Sequence, residues 1–116
     1  MGIKKPYSLH KLSEYVGGDR NEIIEMINIF IDTTSIDINK LSELAKNKEW
    51  QSVYKIAHRN KPSFDVFEMN SILGDLKTIE LLARENDKDG TLASLIQKFI
   101  YKFDEIVLLL RGELEE

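Results

Sequence analysis

Residues 20–46 read RNEIIEMINIFIDTTSIDINKLSELAK, and their apolar positions recur at spacings of three and four. Ile23, Ile24, Ile27, Phe30, Ile31, Thr34, Ile38, Leu41, Leu44 and Ala45 form one stripe on a 3.6-residue period, which predicts a long amphipathic helix from about Arg20 to Lys46. Thr33 to Ser35 is the place where such a helix would break. Just upstream, Asp19 followed by Glu22 has the form of a capping box, with Asp in place of the usual Ser or Thr. Gly17 and Gly18 precede it and suit the left-handed turn that ends a short first helix on Leu9, Leu12, Tyr15 and Val16.

The same period continues downstream. After a turn at Asn47 and Lys48, the residues Trp50, Val53, Ala57, Asn60, Phe64 and Phe67 share a face. Ile72, Leu73, Leu76, Ile79 and Leu82 mark a fourth helix, closed by the polar stretch from Glu85 to Gly90. Leu92, Leu95, Ile96, Phe99, Phe103, Ile106 and Leu110 mark a last helix from about Thr91 to Arg111. Trp50 and the phenylalanines lie at the spacing of a packed stripe, so they are expected in the core. Short connections between long amphipathic helices favour antiparallel neighbours. The expected fold is all-α: an antiparallel up-and-down four-helix bundle with a short N-terminal helix at one end, forming a single domain over residues 1–116.

A chain of 116 residues with 42% hydrophobic content is enough for one modest core. Charged residues make up 31% with both signs interspersed and a net charge of −4, so the concentrated basic stripe that nucleic acid requires is missing. With no cysteine there is no disulfide framework, no thiolate nucleophile and no cysteine metal site, and a reducing cytoplasm is the expected home. The stretch MGIKKPYSL lacks the apolar core of a signal peptide, and the apolar run Ile106 to Leu110 is too short to span a bilayer, so no membrane contact is expected of this segment.

The helix predicted around position 58 carries the chemistry. At about 100° per residue, His58 lies more than about 90° from the centre of the apolar arc and is expected to face water. Gln51, Tyr54, Lys55, Lys61, Pro62 and Asp65 gather around it on the outer surface. A neutral imidazole has a ring-nitrogen lone pair that can attack phosphorus, and lysines one turn away, Lys55 at i−3 and Lys61 at i+3, can bind phosphoryl oxygens. An exposed histidine beside lysines is also an ordinary feature of helical surfaces, so the local pattern leaves both readings open. His10, on the short first helix, reads as an ordinary surface residue.

The longer stretch AHRNKPSFDVFEMNSILGDLKTIE, Ala57 to Glu80, resembles the histidine phosphotransfer (HPt) domain family. The family motif runs A-H-x-L-K-G-S, followed at a fixed distance by a small-residue turn and then L and L-E on the next helix. Ala57, His58, Lys61 and Ser63 match the motif, and Ile72, Ile79 and Glu80 fall on the later positions without a gap. Trp50 and Val53 match upstream, and YSLHKLSEYVGGD with Ile24, Ile27, Phe30 and Ile31 resembles the family's first helix, glycine turn and long second helix, so the likeness covers nearly the whole chain. The resemblance implies a relay component in a two-component system. His58 would accept a phosphoryl group from a receiver-domain aspartate and pass it to another receiver, with Lys61 stabilising the phosphohistidine. The partners implied are response-regulator receiver domains or a hybrid sensor histidine kinase, docking over Gln51, Tyr54, Lys55, Pro62 and Asp65, with Ile29 or Ile36 of the long helix contributing. Mg²⁺ would come from the receiver, so no cofactor is implied in this domain.

Two positions depart from the motif. Pro62 stands where the family has glycine, and in a helix it removes the backbone bond to the His58 carbonyl and disfavours helical geometry at Lys61. Asn60 stands where the family buries leucine, so its amide needs a partner, and the freed His58 carbonyl is the expected one if the helix bends. These departures keep a second function in play, a non-catalytic helical adaptor. A third is the substrate module of an ATP-using histidine kinase, whose ATP site would lie elsewhere because no glycine-rich phosphate loop is present. Neither histidine has a glutamate three residues before it, so the Glu-x-x-His motif of di-metal bundles is missing.

Overall fold

A computed structural model describes residues 5–115 as five helices: α1 (His10–Tyr15), α2 (Arg20–Lys46), α3 (Trp50–Val66), α4 (Asn70–Arg84) and α5 (Leu92–Glu113). The first four residues of the N-terminal stretch read above lie outside this range. No strand occurs among the described residues. α2 packs against α3 and α5, and α4 packs against the same two, so the four long helices enclose one core. At about 1.5 Å per residue a 27-residue helix is about 40 Å long, and α2 accordingly sets the 45 Å long dimension of the molecule.

The start of α2 follows its sequence signal. Asp19 takes an extended conformation and its carboxylate accepts the Glu22 N–H at 3.1 Å, satisfying one of the orphan donors of the first turn. α2 then runs through Thr33 to Ser35 unbroken; Thr33 stays in the helix with its hydroxyl donating to the Ile29 carbonyl at 2.7 Å.

The ends share one device. Gly17 takes φ 63° and Gly18 donates to the Ser13 carbonyl at 2.8 Å. Lys48, Glu68 and Asn86 take the same left-handed conformation after α2, α3 and α4, and the residue following each donates back five residues, as Glu49 does to Leu44 at 2.9 Å. These are Schellman turns built without glycine at three of four places.

All five phenylalanines are buried, and Phe30 joins Phe64, Phe67 and Phe103 with ring centroids 4.6–6.1 Å apart. Trp50 packs against the edge of this core and stays half-buried. α1 docks through buried Leu12, and Tyr7, ahead of the helix, is buried as well. The Ser8 N–H donates to the Phe67 carbonyl at 3.0 Å, and Tyr7 Oη donates to Glu113 at 2.6 Å. Lys5 also bonds Glu113, and the Arg20 guanidinium reaches the Glu113 carbonyl at 2.7 Å. No helix of the described residues is long and apolar enough to cross a membrane.

Candidate functional site

α3 runs unbroken through Pro62, burying Val53, Ile56, Ala57, Asn60 and Phe64 and turning His58 outward. The His58 side chain is 60% exposed, as its place on the helical wheel requires. It is nevertheless held at two points. The Tyr54 ring, one turn earlier, stacks on the imidazole with centroids 5.7 Å apart and planes 13° from parallel. From α4, Glu80 brings Oε2 to 2.5 Å from His58 Nδ1.

Glu80 is 15% exposed and also accepts from Lys61 Nζ, 2.8 Å from its other oxygen. Burial alone would push the Glu80 carboxyl up; the hydrogen bonds from Lys61 and from His58 outweigh it and hold the group below the usual carboxylate range. Glu80 is therefore ionised at neutral pH and can only accept. The proton of the shared bond then belongs to Nδ1, which leaves the lone pair of a neutral ring on Nε2, the nitrogen away from the protein. The arrangement presents an oriented, solvent-facing nucleophilic nitrogen backed by a carboxylate that can stabilise positive charge arising on the ring.

The sequence-predicted residues fall around this centre in different ways. Lys61, Pro62 and Asp65 border a shallow depression beside His58, completed from α4 by Leu73 and Lys77. Asp65 is paired with Lys11 of α1 at 2.8 Å. Tyr54 is half-buried against the core, with its ring on His58. Gln51 is exposed near the start of α3. Lys55 lies on the other flank, in a groove with Lys40, Ser52 and Arg59. Pro62 also borders an apolar groove against α2, with Met26, Ile29 and Val66. Ile29 and Ile36 are both exposed, and Ile29 alone reaches that groove. His10 stands on the surface, 3.5 Å from Glu14 of its own helix.

The expected pairing of Asn60 with the His58 carbonyl does not form. Asn60 is buried, and its amide donates to the Ile56 carbonyl at 2.8 Å and to Asp37 of α2 at 3.1 Å. The reason is directional: the Asn60 side chain points back toward the preceding turn and toward α2, whereas the His58 carbonyl points forward along the helix. Asp37 in turn accepts two bonds from Arg59, at 2.8 and 3.0 Å. Those Arg59 bonds, helped by Asn60 and against partial burial, hold the Asp37 carboxyl below its usual range.

Residue-level reasoning gave no role to Glu80, Lys77 or Asp37. Glu80 stands 22 residues from His58 on another helix, and only the register of the α3–α4 pair brings them together. Comparison with protein-family models, curated proteins and solved structures finds no match for this chain.

Proposed function

We propose that this domain is a histidine phosphocarrier in a two-component phosphorelay, taking a phosphoryl group on His58 from a receiver-domain aspartate and passing it to another receiver. The observation that carries the reading is the His58 to Glu80 bond, which leaves Nε2 free and outward. Nε2 attacks phosphorus, the P–O bond to the aspartate breaks, and its electron pair leaves on the carboxylate. The ring keeps its Nδ1 proton and becomes an N-phosphoryl imidazolium, whose positive charge faces the ionised Glu80.

The two departures from the HPt motif favour loss of function less than they did in the sequence. Asn60 has its hydrogen bonds, and α3 continues past Pro62, so His58 and Lys61 stay one turn apart on one face. The reading carries with it an antiparallel up-and-down arrangement of the four long helices, supported by the meeting of the start of α2 and the end of α5 at Arg20 and Glu113. It also carries a cytoplasmic setting, and docking of the receiver or hybrid kinase over Gln51, Tyr54, Lys55, Pro62 and Asp65.

The test is transfer of label from phosphorylated receivers of the same organism. Acid-labile label is expected on the wild-type domain and absent from His58→Gln. Label retained by His58→Gln, or a wild-type domain that stays unlabelled across the full set of receivers, removes the proposal.

A further inference from the structure

Leu73, Lys77 and Glu80 stand four and three residues apart on α4, hence on one stripe, and that stripe borders His58. Leu73 is buried and Glu80 is bonded to His58 and Lys61. Lys77 lies between them at the depression, about 4.5 Å along the helix axis from Glu80. The charged groups facing the depression are Lys61 and Asp65 of α3, Lys77 and Glu80 of α4, and Lys11 of α1 through Asp65. Each carboxylate already has its ammonium: Glu80 takes Lys61, and Asp65 takes Lys11, both at 2.8 Å. The Lys77 side chain makes no ion pair or hydrogen bond among the described residues.

A phosphoryl group on Nε2 brings a charge of about −1.5 to −2 into this place and needs a cation. Lys61 has N–H donors to spare, but its charge is already balanced by Glu80, a largely buried carboxylate that would lose its compensation if Lys61 turned fully to the phosphoryl group. Lys77 is exposed, uncompensated and free to turn toward the ring. We infer that Lys77 is the residue that binds the phosphoryl oxygens on His58, while Lys61 serves to hold Glu80. The inference rests on the phosphocarrier reading and replaces the role that the motif alone implies for Lys61.

The test uses the intact domain and phosphoramidate as the chemical donor. Nε2 forms the new N–P bond, the P–N bond of the donor breaks, and ammonia leaves with its electron pair. Phosphorus NMR then follows the second ionisation of the phosphohistidine with pH. A nearby ammonium favours the dianion, so Lys77→Gln is expected to raise that ionisation by about half a pH unit or more, with Lys77→Arg close to wild type and Lys61→Gln moving it less. A Lys77→Gln titration superimposed on the wild type, or a shift in Lys61→Gln as large or larger, overturns the role of Lys77 and leaves the phosphocarrier reading standing. If no resonance depends on His58, as judged with His58→Gln, both fall together.

Discussion

His58 Nδ1 and Glu80 Oε2 lie 2.5 Å apart, joining an exposed imidazole on α3 to a largely buried carboxylate on α4. The bond decides which ring nitrogen carries the proton, so its loss should be visible without any partner. Nitrogen NMR of the wild-type ring at neutral pH should show the Nδ1–H tautomer, and Glu80→Ala should show a mixture of tautomers. A hydrogen bond to a charged group contributes about 1.5–3 kcal/mol, so phosphoryl acceptance by Glu80→Ala should slow by roughly ten- to a hundredfold. An unchanged rate with an unchanged tautomer would remove Glu80 from the site.

Pro62 sits within α3 and withholds one N–H from the His58 carbonyl. Restoring that donor should strengthen the helix, partly offset by the greater freedom that alanine gives the unfolded chain. Pro62→Ala is expected to stabilise the domain by about 1–2 kcal/mol, read as a higher urea midpoint at unchanged slope. A lower midpoint would mean that the proline ring contributes packing in the α2 groove that outweighs the missing bond.

Asn60 and Asp37 are bonded across the α2–α3 interface at 3.1 Å. Asn60→Ala should cost about 1–2 kcal/mol, because it removes the buried amide and takes one donor from Asp37. In a double-mutant cycle with Asp37→Ala the two losses should overlap by about 1 kcal/mol. Strict additivity would show that the pair contributes nothing to the interface.

Acid should weaken the fold through Asp37, Glu80 and Glu113. Arg59 holds Asp37 down; Lys61 and His58 hold Glu80 down against its burial; Lys5 and then Tyr7 hold Glu113 down. Each carboxyl thus binds fewer protons folded than unfolded. Their contribution is complete above the unfolded value of about 4 and is lost as pH falls through the depressed folded values. Urea unfolding at descending pH should show stability falling below about pH 4, with a shallower fall in Asp37→Asn and in Glu113→Gln.

Lys48 ends α2 with φ 56°, a conformation that favours glycine. Lys48→Gly should raise stability by about 0.5–1 kcal/mol, seen as a melting temperature a few degrees higher.

Helix number and type, and the bounds of α2 and α5 to within two residues, were legible in the sequence because each depends on neighbours within one turn. The 3.6-residue stripes, the Asp19 cap and the glycines after Tyr15 are all local signals, and α2 begins and ends at the residues its stripe predicts. The exposure of His58 was legible for the same reason, since one helical wheel settles which residues oppose Ala57 and Phe64. Long-range pairing was not. Asn60 proved to bond Asp37 of α2, besides the Ile56 carbonyl of its own helix, rather than the carbonyl of His58, and the partner of Lys61 proved to be Glu80. Those choices depend on how far α2 and α4 slide along α3, a register set by the whole core, including Phe30, Phe64 and Phe99. Composition and periodicity thus determine an all-helical chain with an outward histidine. Only the packing of α4 on α3 brings Glu80 to that histidine and Lys77 to the depression beside it, because a side-chain bond between helices exists only where the backbones have been brought within its reach.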